Sequence, residues 1–149
     1  MRETAAMALN ILKLCVGCSS PEELEAWIDF TLEDKKRRGA PAEQYHTTRM
    51  IPKRVEELTD GGSLYWVMKG GITCRQRLLD VRPFRDSEGV NRCHLVLDPV
   101  VVRTEWVPRR PFQGWRYLSP EDVPADVGAS GTGELPDSLR RELAELGLL

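Results

Sequence analysis

Residues 63–106 form an almost continuous series of strand-like runs, at 63–69, 72–81 and 92–106, the last broken at Asp98-Pro99. The runs are joined by Gly70-Gly71 and by Asp86-Ser87-Glu88-Gly89. Such short connections suit tight turns, so successive strands fold back on one another as an antiparallel meander. Ahead of the meander, residues 9–16 read as a further strand, with Leu12, Leu14 and Val16 on one face and Ile11 and Cys15 on the other. Ser20-Pro21-Glu22-Glu23 is an explicit helix start: serine caps, proline takes the first position, and glutamate stands three residues after the cap. Leu24, Trp27, Ile28 and Leu32 give that helix an apolar stripe, and Lys35-Lys36-Arg37-Arg38-Gly39 ends it. A loop through Pro41 and a short helix ending at Asp60-Gly61-Gly62 lead into the meander. The expected class is α+β with a mainly antiparallel sheet and helices near 21–38, 52–59 and 136–146.

At 149 residues the chain is most simply one domain, large enough to bury a core without disulfide or metal staples. The expected division is a domain over 1–118, a flexible Pro/Gly-rich linker over 119–134 with one helical turn at 119–122, and a C-terminal amphipathic helix over 135–149. In that helix Leu135, Leu139, Leu143 and Leu146 are set to pack on the domain. No run of 18 apolar residues and no signal-peptide pattern is present, which points to a cytoplasmic protein with no membrane partner. Cys15, Cys18, Cys74 and Cys93 are then expected as thiols, and the lone C-x-x-C of Cys15 and Cys18 as metal-free. No cofactor is implied, and the oligomeric state is left open.

Charge is unevenly spread. Residues 45–118 carry 13 Lys+Arg against 8 Asp+Glu, residues 119–149 carry 2 against 7, and 11 of the 13 cations are arginine. Lysine would serve solubility equally well, so the excess suggests bidentate or stacked contacts; structural pairing with Asp80, Asp86, Asp98 and Glu105 is the competing explanation. The densest cluster runs from Arg109 to Tyr117. There Arg109, Arg110 and Arg116 stand among Phe112, Trp115 and Tyr117, with Gln113 between them, a composition that fits stacking on and pairing with a planar anionic ligand. A core role for the aromatics is the alternative. In the second meander strand Arg75 and Arg77 share one face while Cys74, Gln76 and Leu78 share the other. The start of the short helix, flanked by Thr48, Arg49, Lys53 and Arg54, resembles an anion site, and His46 nearby is a candidate general base. No G-x-S-x-G, H-E-x-x-H or P-loop is present.

The strings Leu12-Lys13-Leu14-Cys15-Val16-Gly17, Thr48-Arg49-Met50, Pro52-Lys53-Arg54, Gly61 to Val67 with Trp66 in it, Arg75-Gln76-Arg77, Arg109 to Tyr117 and the closing Leu146-Gly147-Leu148-Leu149 resemble those of a bacterial family of domains of unknown function. That likeness covers nearly the whole chain and implies no activity. A more distant likeness is to the PUA-like barrels of the ASCH and EVE groups, for which Lys69-Gly70-Gly71 and Arg75-Gln76-Arg77 are a partial echo lacking the acidic member. It implies a barrel-like sheet with packed helices and binding of RNA or modified bases. The expected partner is therefore RNA, a nucleotide or a modified base. The alternatives are a small-molecule enzyme on an anionic substrate, and a protein-interaction module using the C-terminal helix.

Overall fold

In the computed structural model the described residues are 9–110 and 112–127. Seven strands are present: β1 (Asn10–Leu14), β2 (Gln44–Thr48), β3 (Ser63–Met68), β4 (Gly71–Arg85), β5 (Asn91–Leu97), β6 (Val102–Pro108) and β7 (Trp115–Leu118). Two α-helices, α1 (Pro21–Arg37) and α2 (Val55–Thr59), and a 3-10 turn at Pro120–Asp122 complete the described elements. The strands form one mixed sheet in the order β2-β5-β4-β3-β1-β7, with β6 also on β4. The fold is thus α+β. All described pairs are antiparallel except β1 with β3, whose connection carries α1, β2 and α2.

The sheet hangs on β4, fifteen residues long. Its amide at Leu78 bonds to Gly62 on the β3 side, while the carbonyl of Arg77 accepts from Asp98 on the β5 side. Hence β5 and β6 lie end to end along one edge of β4, and β3 occupies the other. One unmatched β4 residue, Thr73, faces the Trp66–Val67 step of β3, and another, Leu79, falls opposite β5 between Leu97 and Val96. Such bulges bend a strand and increase its twist. Even so, the barrel-like closure implied by the PUA-like likeness is not found: β2 and β7 end the sheet and do not pair with each other among the described residues.

Both faces of the central strands are covered, which explains why every residue of β3 is buried. On one face Ile11, Leu64, Trp66, Met68, Cys74 and Leu78 pack with Leu24 and Ile28 of α1 and Leu58 of α2. On the other, Leu12, Tyr65, Val67, Ile72 and Leu118 form a smaller cluster joined by Phe112 and Val123. Helix α1 starts as its sequence directs, with Ser20 Oγ accepting from the Glu23 amide at 3.2 Å. The Glu23 carboxylate reaches back to the amide and hydroxyl of Ser19 rather than to the cap itself.

Several expectations are corrected in detail. The segment around His46, read as loop, is β2, stabilised by pairing with β5. Trp27, placed in the apolar stripe of α1, is 56% exposed. Residues 119–127, read as the start of a linker, lie along the sheet: Glu105 N–H donates to Ala125 O, Val127 N–H donates to Arg103 O, and Asp126 bridges Thr104. The remainder of that segment and the C-terminal helix fall outside the described residues. No described helix is long and apolar enough to cross a membrane.

Candidate ligand-binding clefts

Strand β7 sorts the arginine-aromatic cluster onto two faces. Residues alternate sides along a strand, so Trp115 and Tyr117 point one way and Arg116 and Leu118 the other. Trp115 is buried and donates its indole N–H to Met50 O at 2.6 Å, which makes it a core residue. Tyr117 stands edge-on to it, 4.8 Å between centroids, and its hydroxyl accepts from the amides of Lys53 and Arg54. Those amides immediately precede α2, in the stretch that the sequence suggested for an anion. The tyrosine hydroxyl occupies them instead, and Arg54 is gripped by Glu57 through two bonds of 2.9 and 2.6 Å. Arg49 and Lys53 are exposed at this joint, while Thr48 is buried opposite Cys93 of β5.

The other side of β7 is open. Arg109, Arg110, Phe112 and Arg116 line a cleft of about 560 Å³ with Leu12, Tyr117 and Asp122 at its borders. Arg116 lies over the Phe112 ring, 5.1 Å from its centroid, and its guanidinium donates to the carbonyls of Gln113 and Trp115. Gly114, at φ 73°, makes the turn that brings Phe112 back under Arg116. Arg109 is anchored by its amide to Gly70 O at 2.8 Å, and its buried Nε has no hydrogen-bond partner among the described residues.

Arginine pairing separates this cleft from the rest of the basic middle. Arg75 holds Asp126 through two bonds of 2.9 and 2.7 Å and also donates to Ser63 Oγ, so it fastens residues 119–127 to the sheet. Arg82 is shared between Asp80 and Glu43, Arg92 pairs with Asp86, and Arg103 with Glu22 and Glu25. Among the described residues Arg109, Arg110 and Arg116 pair with no carboxylate. Arg77 and Lys69 are exposed but do not line this cleft; Lys69, at φ 48°, sits in the β3–β4 turn.

A second cleft, of about 580 Å³, opens between the end of β1 and α1. Cys15, Val16, Cys18, Leu24, Trp27, His46 and Trp66 contribute to its walls. The imidazole of His46 stands edge-on to Trp66, 5.4 Å between centroids. Burial, followed by the nearby Lys13 ammonium, pushes His46 down to about 4. Burial also lowers Lys13, and burial together with the Cys18 thiol pushes Cys15 up to about 12. Cys15, Cys18, Cys74 and Cys93 are thiols. No group of three or more His, Cys, Asp or Glu among the described residues is placed to hold a metal. Lys13 and Trp27 were not singled out as functional in the sequence; only the pairing of β1 with β3 and the position of β2 bring Lys13, Trp66 and His46 together.

The His46 environment carries a pH prediction. The unfolded chain takes up a proton near the usual 6.5, the folded chain only near 4. Stability from this group is therefore intact above about 6.5, declines as pH falls through that window, and is fully lost below 4. The expected loss is about 3 kcal/mol, at 1.36 kcal/mol per pKa unit. Urea denaturation at pH 7 and pH 4 checks this: His46→Gln should lose less stability on acidification than wild type, and equal losses would contradict it.

Fold and clefts together define a small α+β domain with two clefts on its surface, one rich in arginine and one apolar with a half-buried imidazole. The chain belongs to the family described as Protein of unknown function (DUF1489), whose profile matches residues 11–149. No curated protein and no solved structure matches it.

Proposed function

We propose that the domain binds a nucleotide unit, free or within single-stranded RNA, in the cleft of Arg109, Arg110, Phe112 and Arg116. The observation that carries this reading is the presence in one cleft of three arginines, none paired with a carboxylate among the described residues and one of them, Arg116, over the Phe112 ring. Guanidinium forks suit phosphate oxygens, and the Phe112 face suits a base. The reading rests on this cleft and not on the PUA-like likeness, since the described sheet is open. Within the wider candidate set, Arg75, Trp115 and Tyr117 act through the fold, by their bonds to Asp126, Met50 and the start of α2. An enzyme acting on an anionic substrate is the second reading, favoured by the buried His46 beside Lys13 and Cys15.

Anisotropy titration of a labelled oligouridine across salt concentrations tests the first reading, with a mononucleotide as competitor. Three phosphate contacts on a single strand give a log–log salt slope of roughly −2, and Arg116→Ala should flatten it by about 0.7. Phe112→Ala should weaken binding by about 1–3 kcal/mol with the slope kept. A folded wild-type protein that binds neither probe at low salt would refute the proposal.

A further inference from the structure

The apolar cleft at the end of β1 is a separate site, and its chemistry points to a different ligand. Lys13 lies on the face of β1 that it shares with Cys15, with Trp66 of β3 and Trp115 of β7 as its register partners. His46 approaches from β2 and meets Trp66 edge-on. Among the described residues, neither Lys13 nor His46 has a hydrogen-bond or ion-pair partner. A half-buried ammonium without a carboxylate is uncommon, because taking a charge from water is unfavourable unless something pairs with it. The outer wall is also unusual. Trp27 is 56% and Val16 83% exposed, so the cleft presents apolar surface to solvent, while His46 in its wall is half-buried.

We infer that this cleft binds a small monocarboxylate with an apolar, preferably aromatic, body, its carboxylate held by Lys13 and His46 and its body between Trp27 and Trp66. The charge of the ligand follows from the charge of the site. Lys13 supplies one positive charge, and a neutral imidazole supplies one N–H donor and no charge. A monoanion is neutralised by that set, whereas a phosphate dianion would leave one charge uncompensated among apolar walls. Glu23, the nearest acid on the rim, is held by Ser19 and argues further against a dianion. The remaining titratable groups about the site are the thiols of Cys15 and Cys18, with Cys74 close to Cys15, and burial keeps the Cys15 thiol protonated at neutral pH. The cleft volume of about 580 Å³ lies within the range of small-molecule sites.

The test uses the full chain, with phenylacetate, its uncharged analogue phenylacetamide, and phenyl phosphate as probes, read by tryptophan fluorescence and by the His46 Cε1–H resonance in NMR. Phenylacetate should bind at least tenfold more tightly than either of the others. On saturation it should raise the His46 titration midpoint by one unit or more, since a bound carboxylate favours the imidazolium. Lys13→Met should weaken phenylacetate at least tenfold and leave phenylacetamide unchanged. Trp27→Ala, at an exposed position that the fold tolerates, should weaken both, which keeps the test decisive if Lys13→Met fails to fold. Absence of phenylacetate binding at millimolar concentration, equal binding of acid and amide, or an unmoved His46 midpoint at saturation would overturn the inference. Oligouridine binding to Arg116→Ala and to Trp27→Ala separates this site from the arginine cleft: the former should weaken it with a flatter salt slope, and the latter should leave it unchanged.

Discussion

Gly62→Ala is expected to remove more than about 4 kcal/mol of stability, a loss in the range that marks a specific structural failure rather than ordinary surface tolerance. A Cβ on Gly62 would overlap the carbonyl oxygens of both Leu9 and Leu58. Neither obstacle is a flexible side chain. Leu58 is the fully buried residue of α2, and Leu9 leads into β1, so relief would require moving a helix or the start of an inner strand. Gly62 O also accepts from the Leu78 amide at the point where β4 passes from one pairing to the next. The neighbouring Gly61, at φ 92°, supplies a control: alanine there meets backbone strain of about 1–2 kcal/mol and should be the milder change. Urea denaturation of the two variants against wild type decides the matter. A Gly62→Ala protein within 1 kcal/mol of wild type, a margin of roughly ordinary surface substitutions, would show that the carbonyls give way.

Gln76→Leu should cost about 3–5 kcal/mol, because it strands two buried partners and one half-buried carbonyl, each penalised by roughly 1–3 kcal/mol and partly relieved by relaxation. Gln76 is fully buried. The indole of Trp66 can only donate, so Gln76 Oε1 faces it at 2.9 Å, and Nε2 is left to donate to Gln44 Oε1 at 2.6 Å and Asp98 O at 2.8 Å. One amide thereby ties β2, β3 and the β5–β6 turn to β4. Combining Gln76→Leu with Gln44→Leu and Trp66→Phe should recover part of the loss, since replacing both partners of a buried bond by apolar groups removes the desolvation penalty. A triple variant no more stable than Gln76→Leu alone would place the cost in packing instead.

How much of this was legible depends on the range of the interaction. The cap at Ser20, the glycine turns and the 3-10 turn at Pro120 are local, and the residues that make them stand side by side in the sequence. The interior side of Gln76 could also be read from alternation with Cys74 and Leu78. The pairing of Arg75 with Asp126 spans 51 residues, and that of Arg103 with Glu25 spans 78, so composition alone placed those arginines in a shared basic pool. Only the fold separates them from Arg109, Arg110 and Arg116. Similarly, β2 is short and polar on its outer side, and its strand identity comes from β5 rather than from its own propensity. Trp115 and Tyr117 illustrate the same limit. Their aromatic character suits either a binding surface or the core, and the alternation of β7 sends both rings to the side opposite Arg116.

The position of β1 bears on the order in which the molecule can assemble. The first described strand sits between β3 and β7, bonded in register to residues 64–67 on one side and 115–118 on the other. During synthesis it emerges long before either neighbour exists: the edge that meets β3 lacks a partner until residues 64–67 are made, and the edge that meets β7 until residues 115–118 are made. Contacts between such distant segments require closing the largest loops, which slows folding and prolongs exposure of unpaired strand edges. The waiting strand is Asn10-Ile11-Leu12-Lys13-Leu14, and Lys13, flanked by Leu12 and Leu14, places a charge in it, the kind of residue that discourages pairing with another chain. The same lysine that lies near His46 in the finished fold thus discourages aggregation of the nascent one.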